Sequence, residues 1–290
     1  MATWSRVCAT LAAAGALAGC ATLKAAPPST LGRSCHEPAG WAPAAASQQV
    51  SLDSLDFAAF GRAERGWMIY AAAAAQEIGV PCPPATPAFA AGLAAWQAAR
   101  GLPASGVMDP ATFEALKAVW QDRRPFVALR ARDVCPDPPP ERTLALARPL
   151  ETAGKPVRLR RRALHAYRAM VAAARRAVPQ AAADPELLRI FSGYRSPAYD
   201  DERCAREGNC DGVARAQCSA HRTGLALDLM LGAAPGFAVD SSEDANRLHQ
   251  AGGPAYLWLV ANAGRFGFVN YAFEPWHWEW TGEPVVHPSF

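Results

Sequence analysis

The amino-acid sequence predicts an α+β fold, in which a mostly antiparallel sheet forms the C-terminal domain and a small three-helix bundle precedes it. Two observations indicate this arrangement. Apolar residues at helical spacing occur before residue 124, whereas helical and strand patterns are mixed after residue 157. Short connections separate the last strand patterns, which favours antiparallel pairing.

The composition is that of an ordinary folded protein, with 51% apolar and 19% charged residues. The formal net charge of +3 is small, and the charges are dispersed along the chain apart from one arginine-rich helix. Because nucleic-acid binding calls for a concentrated positive patch, we expect no nucleic-acid partner.

The first residues have the features of a secretory signal. Arg6 is followed by an apolar run over residues 7–18, which is shorter than the roughly 20 residues that span a bilayer. The run ends in Leu-Ala-Gly-Cys at residues 17–20, which resembles the bacterial lipobox. That resemblance implies removal of residues 1–19 and lipidation of the Cys20 thiol. The alternative is an ordinary signal cleaved near Ala21, with Cys20 discarded.

The expected location follows from this leader. Lipidation of Cys20 would attach an exported protein to the membrane, and residues 20–50, rich in Ala, Pro and Ser, would form a tether. Ala21, rather than aspartate, follows the cysteine. By resemblance to sorted lipoproteins, this favours the periplasmic face of the outer membrane in a Gram-negative host.

The cysteine content agrees with export. Cys8 and Cys20 belong to the signal and its lipidation site, which leaves six of the eight cysteines. An even number in an oxidising compartment predicts disulfides, with at least one bridge among the three that lie in one polar loop. The alternative, a thiolate zinc site, lacks a CxxC pair. The six cysteines are Cys35, Cys82, Cys135 and, in the loop, Cys204, Cys210 and Cys218.

Residues 51–123 predict a small helical domain. Thr86 followed by Pro87, and Asp109 followed by Pro110, each combine a capping side chain with a proline at the first helical position. Apolar residues follow both starts at helical spacing. The two apolar faces are Phe89, Leu93 and Trp96 in one helix, and Phe113, Leu116 and Trp120 in the other.

An earlier helix over residues 67–78 would complete a bundle of three. Residues 96–113 resemble the peptidoglycan-binding domain found beside many wall hydrolases. That family usually shows Gln, Gly-Leu, Thr-Gly, Asp and Thr along this stretch, and here Ser105 replaces the first Thr. The resemblance implies binding to the cell wall. The alternative is a helical bundle that merely packs on the second domain.

Residues 124–156 predict a stiff connector, because they contain a run of prolines that includes Pro138, Pro139 and Pro140. The second domain covers residues 157–290. Its expected elements are a helix with one arginine-rich face over 158–178, strands over 187–194, 225–231, 268–271 and 276–280, a helix or loop over 197–206, and a helix over 255–263.

Leucines alternate with other residues over positions 225–231, which predicts a strand with a leucine face and an opposite face that contains Asp228. Its leucines point to the core, whereas Asp228 points to the opposite face beside the small Ala226. His221 lies seven residues before Asp228, so a straight strand would place it on the other face. A turn at Gly224, which tolerates the required backbone angles, can bring His221 and Asp228 to one point.

Residues 273–280 show a second alternation. Three tryptophans share one face of the expected strand, and His277 and Glu279 share the other. Glu274 precedes Pro275, which bends the chain away from the ladder and can swing the carboxylate toward His277.

These residues have the composition of a hydrolytic zinc site, which needs three protein ligands, an open position for water and a base that is not a ligand. His221, Asp228 and His277 offer two nitrogens and one oxygen, and Glu274 stays free as the base. Burying them without a metal would leave several polar groups unpartnered. We therefore expect one Zn²⁺ ion. The helix-borne site of HExxH peptidases is excluded, because the sequence has no HExxH.

Three motifs resemble those of the VanY/VanX-type D-Ala-D-Ala carboxypeptidases, which share a fold with lysostaphin-type peptidases and hedgehog signalling domains. They occur in the expected order, and no motif position is replaced. The motifs are Ser192-Gly193-Tyr194-Arg195-Ser196, then Ser219-x-His221-x-x-Gly224-x-Ala226-x-Asp228, then Glu274-x-Trp276-His277.

The resemblance implies a zinc ion held by His221, Asp228 and His277, with Glu274 as the catalytic base. It also implies that Arg195 contacts the carbonyl or carboxylate of the substrate. The remaining residues expected to bind substrate are Ser219, Tyr194 and Ser192.

The substrate implied is the stem peptide of peptidoglycan, and the reaction is removal of its terminal D-Ala by a D,D-carboxypeptidase. One alternative keeps the metal site but cuts another bond, as an L,D-carboxypeptidase or endopeptidase, because specificity depends on loops whose contacts the sequence does not show. The other is a non-catalytic, wall-binding lipoprotein. The intact Glu274 disfavours it, since a pure binder has no need of a base.

Overall fold

Helices and short strands alternate through this computed structural model, which describes residues 35–130, 135–208, 210 and 218–282. The predicted signal and Cys20 lie outside these residues. Within them, no helix combines the length and the apolar character that crossing a membrane requires. The helices are α1 (Ala42–Ser54), α2 (Ala71–Ile78), α3 (Pro87–Ala98), α4 (Pro110–Asp122), α5 (Pro125–Arg130), α6 (Arg161–Ala177), α7 (Pro179–Ala183), α8 (Pro197–Glu207), α9 (Asp244–Ala251) and α10 (Pro254–Asn262). The strands are β1 (Asp56–Ala59), β2 (Arg62–Arg65), β3 (Leu144–Leu146), β4 (Arg158–Arg160), β5 (Ile190–Ser192), β6 (Ala226–Leu229), β7 (Phe268–Asn270) and β8 (His277–Trp280).

Two N-terminal helices begin where the sequence predicts. The Thr86 hydroxyl accepts a hydrogen bond from the Phe89 N–H at 3.4 Å before α3, and Asp109 Oδ1 accepts one from the Thr112 N–H at 2.7 Å before α4. Each helix has proline at its first position, where the missing N–H has no helical partner to lose. The helix predicted over residues 67–78 is present as α2 and the short 3-10 turn before it.

Helix α1 occupies part of the segment predicted as a tether, residues 20–50. Its buried side chains are Ala45, Gln48 and Leu52. The Gln48 side-chain carbonyl accepts a hydrogen bond from the Met108 N–H at 2.9 Å, which fixes the helix against the loop before α4. A buried glutamine among alanines produces no apolar stripe, so periodicity does not reveal this helix. Residues 42–50 are therefore helical rather than an extended tether.

A β-hairpin that the sequence patterns did not indicate follows α1. Strands β1 and β2 pair antiparallel, with Asp56 opposite Arg65. Phe60 and Gly61 form the turn between them with φ angles of 49° and 82°, and positive φ at both positions is typical of a type I′ hairpin turn. The N-terminal segment therefore adds a hairpin and α1 to the three predicted helices.

The C-terminal part contains the predicted antiparallel sheet, with four strands in the order β5-β6-β8-β7. Ser192 of β5 lies opposite Asp228 of β6, and Asp228 lies opposite His277 of β8. Residues opposite each other across antiparallel strands have Cβ atoms about 4.5–5.5 Å apart. The register therefore brings three motif residues into one row across the sheet.

The predicted connector, residues 124–156, contains regular structure. Helix α5 lies in it, and β3 pairs antiparallel with β4, with Leu144 opposite Arg160. Strand β4 takes the first residues of the helix predicted over 158–178, so that helix begins at Arg161. Its buried face includes Leu164, Tyr167, Met170 and Ala174.

One hydrophobic core extends from the N-terminal helices to the C-terminal sheet. The Phe60 ring centroid lies 5.4 Å from that of Tyr271 and 5.7 Å from that of Phe273. The described residues all fall in a single compact unit. The helical segment therefore packs on the sheet, which does not distinguish wall binding from a bundle that merely packs there. Wall binding by residues 51–123 stays a prediction.

Three disulfides pair the six cysteines as the cysteine content predicts, and one bridge lies within the expected loop. The Cys135–Cys218 bond joins the connector to the residue that precedes Ser219. It therefore fastens the start of the second motif to the connector, in addition to restricting the unfolded chain. The pairs are Cys35–Cys82, Cys135–Cys218 and Cys204–Cys210.

Candidate metal centre

Three side chains with metal-binding atoms meet beside strands β6 and β8 of the sheet. Within the described ranges, His221, Asp228 and His277 form the one group of three such residues whose ligand atoms all lie within 4.8 Å of one another. All three side chains are buried. The structure thus brings together the residues that the sequence places around one ion.

The turn at Gly224 places the His221 side chain next to Asp228. The 3-10 turn Ala220–Thr223 ends at Gly224, which has a φ of 68°. Glycine adopts this left-handed conformation without steric strain because it lacks a Cβ atom. The chain then enters β6, and His221 Nε2 lies 3.1 Å from Asp228 Oδ2.

The His221 imidazole is held by the backbone carbonyl of Gly193. His221 Nδ1 lies 2.8 Å from this oxygen. A carbonyl only accepts hydrogen bonds, so Nδ1 bears the proton and donates it. Burial, with the Arg195 guanidinium nearby, lowers the pKa of His221 to about 4. The imidazole is therefore neutral at pH 7, with the Nε2 lone pair directed toward Asp228.

His277 lies between two carboxylates. Its Nδ1 atom is 2.9 Å from Asp228 Oδ1, and its Nε2 atom is 3.4 Å from Glu279 Oε1. Burial opposes ionisation of the imidazole, but these two carboxylates raise the pKa of His277 to about 9.

Buried groups of both charges meet at the centre. Burial would raise the pKa of Asp228, but His221 and His277 hold it well below its usual range. Burial likewise opposes ionisation of Glu279, yet the Arg124 guanidinium and the bond to His277 lower its pKa to about 2. Because buried charges need compensation, Arg195 beside Asp228 and Arg124 beside Glu279 balance these two carboxylates.

Glu274 lies beside the donors without being one of them. Its Oε2 atom is 3.9 Å from His277 Nδ1, beyond hydrogen-bonding distance, and its side chain keeps some exposure to solvent. Desolvation raises the pKa of Glu274 above that of an ordinary glutamate. A partly exposed carboxylate of raised pKa next to a cluster of metal-binding atoms has the properties of a general base.

Arg195 borders the donors from the side of β5. Its Nη2 atom donates to Ser192 Oγ at 2.8 Å and lies 3.3 Å from Asp228 Oδ2. The guanidinium is mostly buried, so its charge acts in a medium that screens it weakly. Two of the residues expected to contact substrate, Arg195 and Ser192, are therefore at the centre.

Ser219 and Tyr194 lie farther from the donor atoms. The Ser219 hydroxyl donates to Asp200 Oδ1 at 3.2 Å, so it faces α8. Tyr194 is partly exposed and packs near Arg158, whose guanidinium carbon is 5.9 Å from the centre of the Tyr194 ring. Their predicted contacts with substrate stay predictions.

Three residues that support the centre or the motif residues near it, Glu279, Arg124 and Asp200, were not predicted as site residues. Glu279 lies on the same strand face as His277, so the alternation could have indicated its contact with the imidazole. Arg124 pairs with Glu279 from a distant part of the chain, and Asp200 holds Ser219 from α8. No local pattern indicates these long-range contacts.

Comparisons with known proteins found one matching family and a similar solved structure. Residues 156–283 match the VanY family, described as D-alanyl-D-alanine carboxypeptidase. A solved structure of the LD-carboxypeptidase LdcB, described as revealing the molecular basis of peptidoglycan recognition, is 22% identical with a TM-score of 0.34. That match covers 49% of this chain and 69% of the LdcB chain. No curated protein matches the sequence.

Proposed function

We propose that this chain, whose residues 156–283 form a carboxypeptidase domain of the VanY family, is a zinc-dependent peptidase of the bacterial cell wall. Its substrate is the stem peptide of peptidoglycan, and its reaction is hydrolytic removal of the terminal D-Ala. The observation that supports this most strongly is the buried group of His221, Asp228 and His277, with Glu274 beside it.

The donor atoms suit a zinc ion. Zinc bonds imidazole nitrogen and carboxylate oxygen at about 2.0–2.2 Å, so two ligand atoms of a tetrahedral site lie about 3.3–3.5 Å apart. One Asp228 oxygen lies 2.9 Å from His277 Nδ1 and the other lies 3.1 Å from His221 Nε2. One ligand atom from each of the three residues lies within 4.8 Å of the other two, so the donors are near enough to share one ion. Each imidazole also has an acceptor at its outer nitrogen, Gly193 or Glu279, as is typical of histidine ligands.

Glu274 is the general base in this proposal. A zinc ion bound here would supply Lewis acidity and lower the pKa of water to roughly 7. The Glu274 carboxylate accepts a proton from the attacking water and then gives that proton to the amine of the departing D-Ala. Its raised pKa suits both steps, because the group takes up a proton more readily than an ordinary glutamate does.

Arg195 stabilises the negative charge that develops on the scissile carbonyl oxygen. Ser192 fixes its guanidinium, so the charge is in place before the reaction and needs no reorganisation. We assign substrate binding to Ser192, which lies beside Arg195, and to Tyr194 and Ser219, which lie farther from the donor atoms in the first two motifs.

The position of the enzyme in the cell forms a further part of the proposal. Residues 1–19 direct export, Cys20 bears a lipid that anchors the protein to the outer membrane, and residues 51–123 bind the wall. The disulfides agree with an oxidising compartment, because bonds of this kind persist mainly outside the cytosol.

A peptide that ends in D-Ala-D-Ala tests the activity. Zinc-loaded enzyme is expected to shorten it by one alanine, as identified by mass, and metal-free enzyme is expected to leave it intact. The same assay on a peptide that ends in L-Lys-D-Ala identifies an L,D-carboxypeptidase, and internal cleavage identifies an endopeptidase. Binding of peptide without any cleavage by the zinc-loaded protein would contradict the proposal.

A further inference from the structure

We propose that Arg124, which follows α4 in the N-terminal half of the chain, is a positioning residue of the metal centre. It holds the Glu279 carboxylate against His277, and so sets the direction of the His277 Nδ1 lone pair. This inference rests on the proposed function, because Nδ1 is the atom proposed to bind the metal.

Arg124 and Phe126 restrain both oxygens of Glu279. The Arg124 Nε and Nη2 atoms lie 2.7 and 2.6 Å from Glu279 Oε1, and the Phe126 N–H donates to Oε2 at 3.1 Å. The Arg124 side chain is 7% exposed and that of Glu279 is 2% exposed. Charged hydrogen bonds in such a dry environment are strong and directional, so this carboxylate has one orientation.

The Arg124 guanidinium is itself fixed by two neighbours. Its Nη1 atom donates to Gln121 Oε1 at 2.9 Å, and its central carbon lies 3.9 Å from the centre of the Tyr271 ring. Both contacts disfavour rotation of the guanidinium, the stacking one through attraction between a cation and an aromatic face. Helix α4 therefore provides a rigid support for Glu279.

The fixed Glu279 carboxylate in turn orients the His277 imidazole. Its Oε1 atom lies 3.4 Å from His277 Nε2, on the side of the ring opposite Asp228. An imidazole fixed at one nitrogen is fixed at the other, because the ring is planar and rigid. Acceptors at the outer nitrogen of histidine ligands usually orient the ring and raise the basicity of the metal-binding nitrogen.

Packing alone does not explain this pair. Burying two charges has a large desolvation cost, and apolar side chains of similar volume often serve a core as well or better. The Arg124–Glu279 pair contacts His277, a proposed metal ligand. An ionic pair at this position can orient the imidazole, which apolar side chains could not do.

The N-terminal segment also contacts the chain beside Glu274 through a second buried ion pair. Arg247 donates from Nε to the Phe273 carbonyl at 2.8 Å, and its Nη1 atom lies 3.0 Å from Glu64 Oε1 on β2. The Tyr70 hydroxyl bonds to both Glu64 and Arg247. The helical segment thus supports the chain just before Glu274 as well as the imidazole of His277.

The test is the zinc affinity of Arg124→Ala, measured by competition with a chromophoric chelator. Arg123→Ala is the matched control, because Arg123 is the neighbouring arginine, its side chain is 54% exposed, and it pairs with Glu77 away from the centre. We expect the zinc dissociation constant of Arg124→Ala to rise by about 10-fold or more, as for other lost partners of histidine ligands. The Arg123→Ala value should match that of the wild type, and Arg124→Lys should recover part of the affinity.

A purely structural role would give a different result. Bound Co²⁺ reports the ligand geometry through its visible absorption, which should change in Arg124→Ala and not in Arg123→Ala. A folded Arg124→Ala protein with wild-type zinc affinity and an unchanged Co²⁺ spectrum overturns the inference, even if its metal-free form melts at a lower temperature.

A second variant applies if Arg124→Ala does not fold. Glu279→Gln keeps the volume and an acceptor oxygen but removes the ion pair, and it should weaken zinc binding similarly. Unchanged affinity in that variant also overturns the inference. Absence of zinc binding in the wild type would instead contradict the proposed function, so the two failures are distinguishable.

Discussion

Asp228 of β6 lies directly opposite His277 of β8, and its Oδ1 atom is 2.9 Å from His277 Nδ1. Its other oxygen lies 3.1 Å from His221 Nε2. One carboxylate therefore faces both imidazoles, and the antiparallel register keeps it there. Because the sheet sets this geometry, the donor group is largely preorganised for an ion.

Replacement of Asp228 by asparagine should abolish tight zinc binding. The amide is nearly isosteric but removes the negative charge that both imidazoles face. In the wild type, zinc at 1,000 times its dissociation constant should stabilise the fold by about 4 kcal/mol, and a chelator should remove that stabilisation. Thermal unfolding with and without zinc measures both effects. A zinc-dependent shift of similar size in Asp228→Asn would contradict the prediction.

Replacement of Glu274 by alanine should leave zinc binding intact and lower kcat by about 100-fold or more, since general bases usually contribute this much. Metal analysis and turnover of the D-Ala-D-Ala peptide, measured on the same preparation, check both parts. Glu114→Ala is a suitable control, because Glu114 is exposed and pairs with Lys117 on α4. An equally active Glu274→Ala enzyme would refute the role of the base.

The pH dependence of kcat/KM should reflect the raised pKa of Glu274. A general base must be ionised, so activity falls as the pH decreases through this pKa, and the acid limb should lie above the pKa of an ordinary glutamate. Zinc content measured at each pH separates this effect from loss of the metal. Full activity at pH values where an ordinary glutamate is already protonated, with zinc still bound, would disagree with the assignment.

Replacement of Glu64 by alanine should destabilise the protein by about 3–5 kcal/mol, because Arg247 would lose its buried partner. Both side chains of this pair are at most 2% exposed. The matched control is Asp56→Ala, which breaks the exposed Asp56–Arg65 pair on the same hairpin and should cost about 1 kcal/mol or less. Denaturant unfolding compares the two variants, and equal losses of stability would contradict the difference.

Local patterns, together with the motif resemblance, predicted the donor group. The alternation around Asp228 and His277 identifies the strand faces, and Gly224 marks the turn that His221 needs. The helix starts at Thr86 and Asp109 are likewise local, since each depends on one capping side chain and a following proline. Features of this kind depend on residues within a few positions of one another, so a single sequence reveals them.

Contacts between distant segments were not predictable in the same way. Arg124 belongs to a proline-rich stretch that predicts a connector, and nothing near it points to Glu279, 155 positions later. Helix α1 depends on Gln48, whose partner is the Met108 backbone, and a polar residue inside a helix does not signal burial. In both cases a contact with a distant residue determines the local structure. The local sequence pattern alone predicts a connector around Arg124 and a tether around Gln48.

X-ray absorption at the zinc edge of the purified, zinc-loaded enzyme tests the central claim most directly. Metal analysis should give one zinc per chain, and the absorption spectrum should show nitrogen or oxygen neighbours at about 2.0–2.2 Å with outer-shell scattering from two imidazoles. The imidazole contribution should fall in His277→Ala. Sulfur neighbours, a shell of water oxygens alone, or no bound zinc would contradict a centre made of His221, Asp228 and His277.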